Sequence, residues 1–141
     1  MFTEVVLKGS EHQRKFAIDI QCQERGSPKP VILFIPGFKG FKDWGTFNLI
    51  AREFSERNYV FVKMNLSHNG VTPENPVDFV DLEAFANNTI SKELQDIDDA
   101  LSFISSPDFP LSSTEVDKQN IALVGHSRGG SVAYILSLIH I

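Results

Sequence analysis

The apolar and polar positions along the chain follow two different patterns, and each predicts a different kind of strand. Residues 16–22 alternate apolar and polar side chains, which is typical of a β-strand with one face toward solvent; Asp19 belongs to that polar face. A shorter apolar run at residues 5–7 precedes a turn signal at Gly9-Ser10. Together the two segments predict an antiparallel hairpin at the start of the chain.

Three later runs are continuously apolar, at residues 31–35, 59–62 and 121–124. In a parallel sheet that is covered by helices, both faces of a strand are buried, so its residues need not alternate. We therefore predict three buried parallel strands.

Two segments show the spacing of amphipathic helices. Apolar side chains recur at helical intervals over residues 44–54, with Asp43 as the candidate N-cap. A second apolar stripe runs over residues 94–104, with Asp96 expected on the opposite face. Residues 71–88 have only a weak pattern and predict a long excursion with a short helical turn in its second half.

The order of elements is hairpin, strand, helix, strand, helix, strand and helix. Such alternation predicts the α/β class: a mostly parallel sheet with helices on both faces, preceded by an antiparallel hairpin. The sequence contains no internal repeat, low-complexity tract or linker, so the pattern indicates one domain.

Composition narrows the possible partners. The chain is 42% hydrophobic and 22% charged with a net charge of −5, and it has no Lys/Arg cluster, so we expect no nucleic-acid partner. No apolar run approaches the roughly 18 residues of a membrane span, and no secretory signal precedes the hairpin. We therefore expect a cytoplasmic protein that does not contact the membrane, with Cys22, the only cysteine, as a buried strand thiol. The sequence does not indicate an oligomeric state.

One motif carries candidate chemistry. Gly125-His126-Ser127-Arg128-Gly129 follows the third buried strand without a gap, and a plausible helical turn begins soon afterwards. A nucleophile elbow requires such a strand, a sharp turn and a helix, with small residues on both sides of the nucleophile. The motif therefore predicts Ser127 as a nucleophile, although a glycine-rich turn with an idle serine would share the sequence.

A second glycine-rich loop, at residues 36–40, follows the first buried strand. Acyl transfer develops a negatively charged oxygen, which two backbone N–H groups can stabilise. We predict that Phe38 and Arg128 provide these N–H groups. We expect the Arg128 side chain to point outward, with contact to a substrate carboxylate or phosphate as the alternative. An ordinary strand-to-helix turn remains the alternative for the loop.

With these two motifs the sequence resembles the α/β-hydrolase superfamily, especially its serine esterase and serine aminopeptidase-like branch, over residues 5–135. Many members carry His-Gly at positions 36–37 and Asp-x-Arg-Gly-His-Gly at positions 65–70, where this chain differs. The resemblance implies that these positions support the floor of the site. It also implies hydrolysis of a small ester-like substrate through an acyl-enzyme, without a metal ion or organic cofactor.

Two alternatives to an esterase stay open. A peptidase or thioesterase of the same superfamily would use the same nucleophile, and a hydrolase-like binding protein would use none of this chemistry. In the family the catalytic acid and then the histidine follow the serine. No acid follows Ser127 in this chain, so we expect residues 1–135 to be the N-terminal part of one domain that lacks the acid and the base.

None of the four histidines is a strong candidate for the base. His126 adjoins the serine, but adjacent residues of an elbow point apart. His68 is expected to be a solvated loop residue, and His12 lies in the hairpin turn. His140 lies in residues 136–141, which match one reading frame of a sequencing-library adapter. We interpret that segment as read-through, with a natural apolar helix as the alternative.

Overall fold

The structure is a computed structural model that describes residues 1–139. It contains five strands: β1 (Phe2–Lys8), β2 (Lys15–Gln21), β3 (Lys29–Ile35), β4 (Val60–Met64) and β5 (Val116–Gly125). The helices are α1 (Phe47–Glu56), α2 (Leu82–Ala86), α3 (Ile90–Ser105) and α4 (Arg128–Ile139). His140 and the end of the suspected adapter segment lie outside the described residues, and the adapter interpretation stays a prediction.

The five strands form one mixed sheet in the order β1-β2-β4-β3-β5. β1 pairs with β2 and β2 with β4 in antiparallel fashion, whereas β3 pairs in parallel with both β4 and β5. This confirms the predicted α/β class, the initial hairpin and the parallel strands. Because β3 and β5 run in register from Val31 beside Ile121 to Ile35 beside Gly125, the loops that follow them leave the sheet side by side.

Helices cover both faces of the sheet. Val31, Leu33 and Ile35 of β3 pack in one core with buried residues of α3 and α4, while Ile32 and Phe34 pack on the other face with α1. The continuous apolar run of β3 thus follows from burial on both sides, as predicted. Cys22 is a fully buried free thiol, also as predicted. Within residues 1–139 no helix is both long and apolar enough to cross a bilayer.

Acidic residues that the pattern placed at the surface are buried. Asp19 is 2% exposed because its strand β2 is covered on both faces, where the alternation predicted one wet face. Its carboxylate lies 3.0 Å from Lys42 Nζ and 3.3 Å from Lys63 Nζ, and both ammonium groups are themselves buried. A buried charge is tolerated when such partners are present. Asp96 of α3 is likewise buried, contrary to the expectation of an outer face.

Helix α1 begins later than predicted. Thr46 occupies the N-cap position, and Asp43 instead contacts Lys42 Nζ at 2.7 Å and Lys63 Nζ at 2.8 Å. Burial raises the pKa of the Asp43 carboxyl, but hydrogen bonds from both lysines outweigh this effect and leave that pKa lowered. Asp43 therefore joins Asp19 in neutralising two buried lysines, and it does not cap the helix.

The third predicted buried strand is only partly covered. β5 is the last strand of the described sheet, and it alternates partly buried and exposed residues along its second half. Val124 is 42% exposed. The apolar run of β5 is typical of a strand inside a sheet with both faces covered. Among the described residues, however, β5 pairs with one strand only, β3.

The ion cluster predicts a large stability loss on removal of one acid. We expect Asp19→Ala to lower the free energy of unfolding by about 3 kcal/mol, because it leaves two buried ammonium groups with one buried carboxylate fewer. Glu53→Ala is the control, since Glu53 pairs with Arg57 at the surface and should cost below about 0.5 kcal/mol. Urea denaturation of both variants measures the difference, and equal losses would contradict the assignment.

Candidate active site

Ser127 lies at the point where strand β5 turns into helix α4. β5 ends at Gly125 and α4 begins at Arg128, so only two residues make the turn. Ser127 has a φ of 55°, in the left-handed region that non-glycine residues avoid at a cost of about 1–2 kcal/mol. Its side chain is exposed. This is the strand, sharp turn and helix that a nucleophile elbow requires.

Two glycines permit the close approach of strand and helix. A Cβ atom on Gly129 would lie 2.4 Å from the Pro36 carbonyl oxygen and 2.5 Å from that of Ile35. A Cβ atom on Gly125 would lie 2.3 Å from backbone atoms of Gly129 and Gly130. Because the opposing atoms belong to main chain, no side-chain movement can relieve these contacts. The small residues on both sides of Ser127 are therefore required by packing.

The glycine-rich loop after β3 lies against the same turn. A Cβ atom on Gly37 would be 2.9 Å from the His126 carbonyl oxygen and 3.1 Å from Ser127 Cβ. The loop closes through a hydrogen bond from Gly40 N to Gly37 O of 2.9 Å. Within residues 1–139 the backbone N–H groups of Phe38 and Arg128 have no hydrogen-bond partner. The two N–H groups predicted for the oxyanion thus belong to adjoining segments and are free to donate.

Asn69 fixes the conformation of this loop. Its Nδ2 donates to the carbonyl oxygens of Gly37 and Gly40, at 2.8 Å each, and its Oδ1 accepts from Lys39 N at 3.1 Å. Asn69 is 1% exposed, so these bonds are shielded from water. The sequence comparison marked positions 65–70 as a departure from the family pattern, but it did not show which residue contacts the loop.

A cavity of about 220 Å³ opens beside Ser127. It is lined by Gly37, Phe38, Lys39, Gly40, Trp44, Phe47, His126 and Ser127. The His126 ring lies 5.6 Å from the Trp44 ring and 5.3 Å from the Phe47 ring, so it packs as part of the aromatic wall. The cavity therefore combines the predicted nucleophile, the loop that carries the Phe38 N–H group and an aromatic surface.

The sequence predicted that the Arg128 side chain points outward. In the structure this side chain is instead held in an ion pair with an acid of α3. Its Nε donates to Glu93 Oε2 at 3.0 Å, and Glu93 is 2% exposed in the first turn of α3. Asn88 Nδ2 donates to the other carboxylate oxygen of Glu93 at 2.9 Å. The ion pair joins the residue after Ser127 to the start of α3.

His68 and His12 also differ from expectation, because both take part in a largely buried network. The Ser67 hydroxyl lies 2.7 Å from His68 Nδ1 and donates to Asp96 Oδ2 at 2.8 Å, while His12 Nε2 lies 2.7 Å from Asp96 Oδ1. Burial raises the pKa of the Asp96 carboxyl, although hydrogen bonds from Ser67 and His12 oppose the rise. Asp96, which joins the network together, lies far along the chain from both Ser67 and His12, which explains why the pattern did not reveal it.

His68 is held neutral by its surroundings. It is 5% exposed, and burial, together with the positive charges of Lys92 and Arg14 and the neighbouring His12, lowers its pKa from 6.5 to about 4. Within residues 1–139 the hydrogen bonds of the His68 and His12 rings go to Ser67, Asp96 and the Arg14 backbone, and none joins either ring to Ser127. The structure thus gives these two rings a structural role in supporting the loop after β4.

The packing at the elbow predicts a sharp difference between neighbouring glycines. We expect Gly129→Ala to lower the free energy of unfolding by about 1–3 kcal/mol, because its methyl group overlaps two carbonyl oxygens. Gly130→Ala is the matched control, since its Cβ would meet nothing closer than 3.2 Å. Chemical denaturation of the two variants tests this, and a similar stability for both would contradict the proposed close packing.

Neutral His68 predicts a pH dependence of stability. Between about pH 6.5 and pH 4 the unfolded chain binds a proton at this residue and the folded protein does not, so the free energy of unfolding falls as the pH falls. From pH 7 to pH 5 the loss from this group is about 2 kcal/mol. Denaturation at both pH values should show a smaller pH-dependent loss for His68→Asn than for the parent, and parallel curves would refute the assignment.

Comparison with known proteins places the fold. Residues 26–140 match the model of the PGAP1-like alpha/beta domain family. No curated protein matches the sequence. The structure is similar to GrgF, an alpha/beta hydrolase from Penicillium sp. sh18, with 20% identity and a TM-score of 0.69 over 94% of this chain and 39% of that one.

Two further structures show the same fold. Est1E from Butyrivibrio proteoclasticus, solved with ferulic acid bound, is 16% identical with a TM-score of 0.71, covering 96% of this chain and 47% of that one. The epoxide hydrolase VrEH1 from Vigna radiata is 19% identical with a TM-score of 0.65, covering 99% and 36%. The chain thus spans less than half the length of each of these structures and corresponds to the N-terminal part of their fold. It belongs to the PGAP1-like alpha/beta domain family, and it shares the α/β-hydrolase fold with these structures.

Proposed function

We propose that this chain is the nucleophile-bearing part of a serine hydrolase that cleaves carboxylic esters through an acyl-enzyme on Ser127. The observation that carries the proposal is the left-handed, exposed Ser127 between β5 and α4, at the wall of the cavity. A strained backbone at an exposed nucleophilic side chain is typical of a functional site. The Gly37 loop packed against Ser127 supports the same chemistry.

The reaction follows from the positions of these groups. As the Ser127 hydroxyl gives its proton to a base, its oxygen attacks the ester carbonyl carbon, and the carbonyl oxygen becomes an oxyanion that accepts hydrogen bonds from Phe38 N and Arg128 N. Collapse of this intermediate breaks the bond between the carbonyl carbon and the leaving oxygen. The base returns its proton to that oxygen, so the alcohol leaves and the acyl group stays on Ser127. Water then hydrolyses the acyl-enzyme by the same steps. These steps need no metal ion or organic cofactor.

The base belongs to a part of the fold that residues 1–139 do not include. A neutral serine hydroxyl needs an adjacent base that is oriented by an acid. His12 and His68 are bonded within the Ser67–Asp96 network, and the His126 ring packs against Trp44. We therefore propose that an acid and then a histidine follow Ser127 in the complete domain. A peptidase or thioesterase would use the same groups. Assays of the complete domain with matched ester, amide and thioester substrates would therefore decide the substrate class.

Covalent labelling tests the nucleophile. In a protein that carries this chain within the complete hydrolase domain, a fluorophosphonate should label one serine, and peptide mass spectrometry should place the label on Ser127. Ser127→Ala should abolish labelling and reduce hydrolysis of p-nitrophenyl esters at least about 10³-fold, because the acyl-enzyme cannot form.

Ser131→Ala is the matched control, since Ser131 is an exposed serine in the next turn of α4 and should leave labelling unchanged. Labelling that persists in Ser127→Ala would overturn the assignment. A complete, folded domain that neither labels nor hydrolyses esters would favour a hydrolase-like binding protein.

A further inference from the structure

Lys39 is a cation at the wall of the cavity with no acid beside it. It lines the cavity together with Ser127, and its side chain is exposed. Its Nζ lies over three aromatic rings, 5.7 Å from the centroid of Phe38, 5.3 Å from Phe79 and 5.7 Å from Phe85. Within residues 1–139 no carboxylate forms an ion pair with it.

The other cations near the site are neutralised. Arg128 pairs with Glu93, Arg14 pairs with Asp81, and Lys42 pairs with Asp19 and Asp43. Acidic residues outnumber basic residues in this chain, which has a net charge of −5, yet none of those within residues 1–139 forms an ion pair with Lys39. Aromatic faces attract an ammonium group without cancelling its charge. The three rings therefore hold the Lys39 charge in place and leave it available to an anion.

The backbone of Lys39 is strained, which is a second and independent observation. Lys39 has a φ of 58° and is the third residue of the turn that Gly40 N and Gly37 O close. Glycine or asparagine is preferred at such a position, because a Cβ atom clashes there. Left-handed non-glycine residues are concentrated at sites where the side chain has a function. A lysine in this place indicates that its side chain is used.

The aromatic platform is itself specified by the fold. The Phe79 and Phe85 rings lie 4.8 Å apart, and Phe85 lies 5.2 Å from Phe38. Gly70 makes room for Phe79, since a Cβ atom on Gly70 would fall 2.0 Å from that ring. The long excursion between β4 and α3 thus supplies two of the rings that position the ammonium group.

We infer that Lys39 determines specificity by pairing with an anionic group, a carboxylate or a phosphate, on the substrate. The inference rests on the proposed function, because it places the reacting ester carbonyl at Ser127 and the anion at Lys39. An ester that carries such a charge would be held by the cavity wall while its carbonyl reaches the Phe38 and Arg128 N–H groups. Neutral esters of the same size would lack this contact.

Trp44 provides a direct test of binding. It is the only tryptophan in the chain and it lines the same cavity, so its fluorescence reports occupancy. We would titrate the chain at low ionic strength with 4-phenylbutyrate, 4-phenylbutyl phosphate and the neutral 4-phenylbutyramide. At least one anion should bind about fivefold or more tightly than the amide, and added salt should reduce the preference. The anion that shows the preference identifies the carboxylate or the phosphate as the recognised group.

Variants at position 39 decide the inference. Lys39→Asn should reduce the preference for the anion to below about twofold, because asparagine tolerates the left-handed turn but carries no charge. Lys39→Arg should restore it, and Lys39→Gln serves as a second neutral variant if the first fails to fold. Lys118→Asn is the matched control, since Lys118 also lies over an aromatic ring, 5.5 Å from Phe109. It should keep the preference.

The outcomes separate this inference from the proposed function. Ser127→Ala in this chain should keep the preference for the anion, because binding needs no nucleophile, whereas the same substitution in the complete domain should abolish fluorophosphonate labelling. Equal affinity for all three ligands, no fluorescence change with any of them, or a preference that persists in Lys39→Asn and Lys39→Gln would overturn the role of Lys39. Labelling that persists without Ser127 would instead overturn the proposed function.

Discussion

A contact between three backbone segments sets the geometry of the whole site. Gly129 of α4 lies against the carbonyl oxygens of Ile35 and Pro36 at the end of β3, and Gly125 of β5 lies against Gly129. His126 N also donates to Ile35 O at 3.0 Å. Because the atoms in contact belong to the main chain, they cannot adopt other rotamers. The predicted nucleophile and the predicted oxyanion loop are therefore held in register by the sheet itself.

A second layer of polar side chains holds the loops that the backbone contact does not reach. Asn69 makes three hydrogen bonds to the loop after β3, and Asn65 Oδ1 accepts from Lys42 N at 2.6 Å. The segment with these asparagines is in turn fixed by Ser67, whose N–H and hydroxyl both donate to Asp96. Each bond contributes only about 1 kcal/mol net, but an unpaired partner left in the core would cost more. Loss of one member of this network should therefore cost more stability than the hydrogen bond itself contributes, because its partner stays buried without a bond.

Hydrophobic periodicity predicted the elements because burial is a local property of a strand or helix. The apolar run of β3 reports its burial on both faces, and the alternation in residues 16–22 located β2 as a strand but missed the burial of its second face. Hydrophobic periodicity failed for Asp19, Asp43 and Asp96, which it placed at the surface or at a helix cap. Each of them is buried or partly buried beside a partner from another element, and His12 is 84 positions from Asp96. A charge whose compensation lies so far away in sequence looks like a surface residue.

At the candidate site, the sequence was informative for features that are formed by consecutive residues. Ser127 and its glycines occupy five consecutive positions, and the loop with Phe38 occupies another five, so their spacing predicted the elbow and the adjoining loop. The hydrogen bonds of Asn69 to the loop after β3 and the ion pair of Arg128 with Glu93 join segments that are far apart in sequence. These contacts could be recognised only from the folded structure. The same holds for the burial of His68, which no neighbour in sequence indicates.

The structure separates the residues proposed to perform the reaction from those proposed to select a substrate. The predicted nucleophile and oxyanion N–H groups lie on β3, β5 and α4, which contact each other through backbone. The Phe79 and Phe85 rings lie on the excursion after β4, which closes on itself because Val80 N and Asp81 N both donate to Gly70 O at 2.9 Å. A change in that excursion can alter the aromatic wall and the position of the Lys39 ammonium without moving the elbow. Under the proposed function, selectivity could therefore change without a change in the geometry around Ser127.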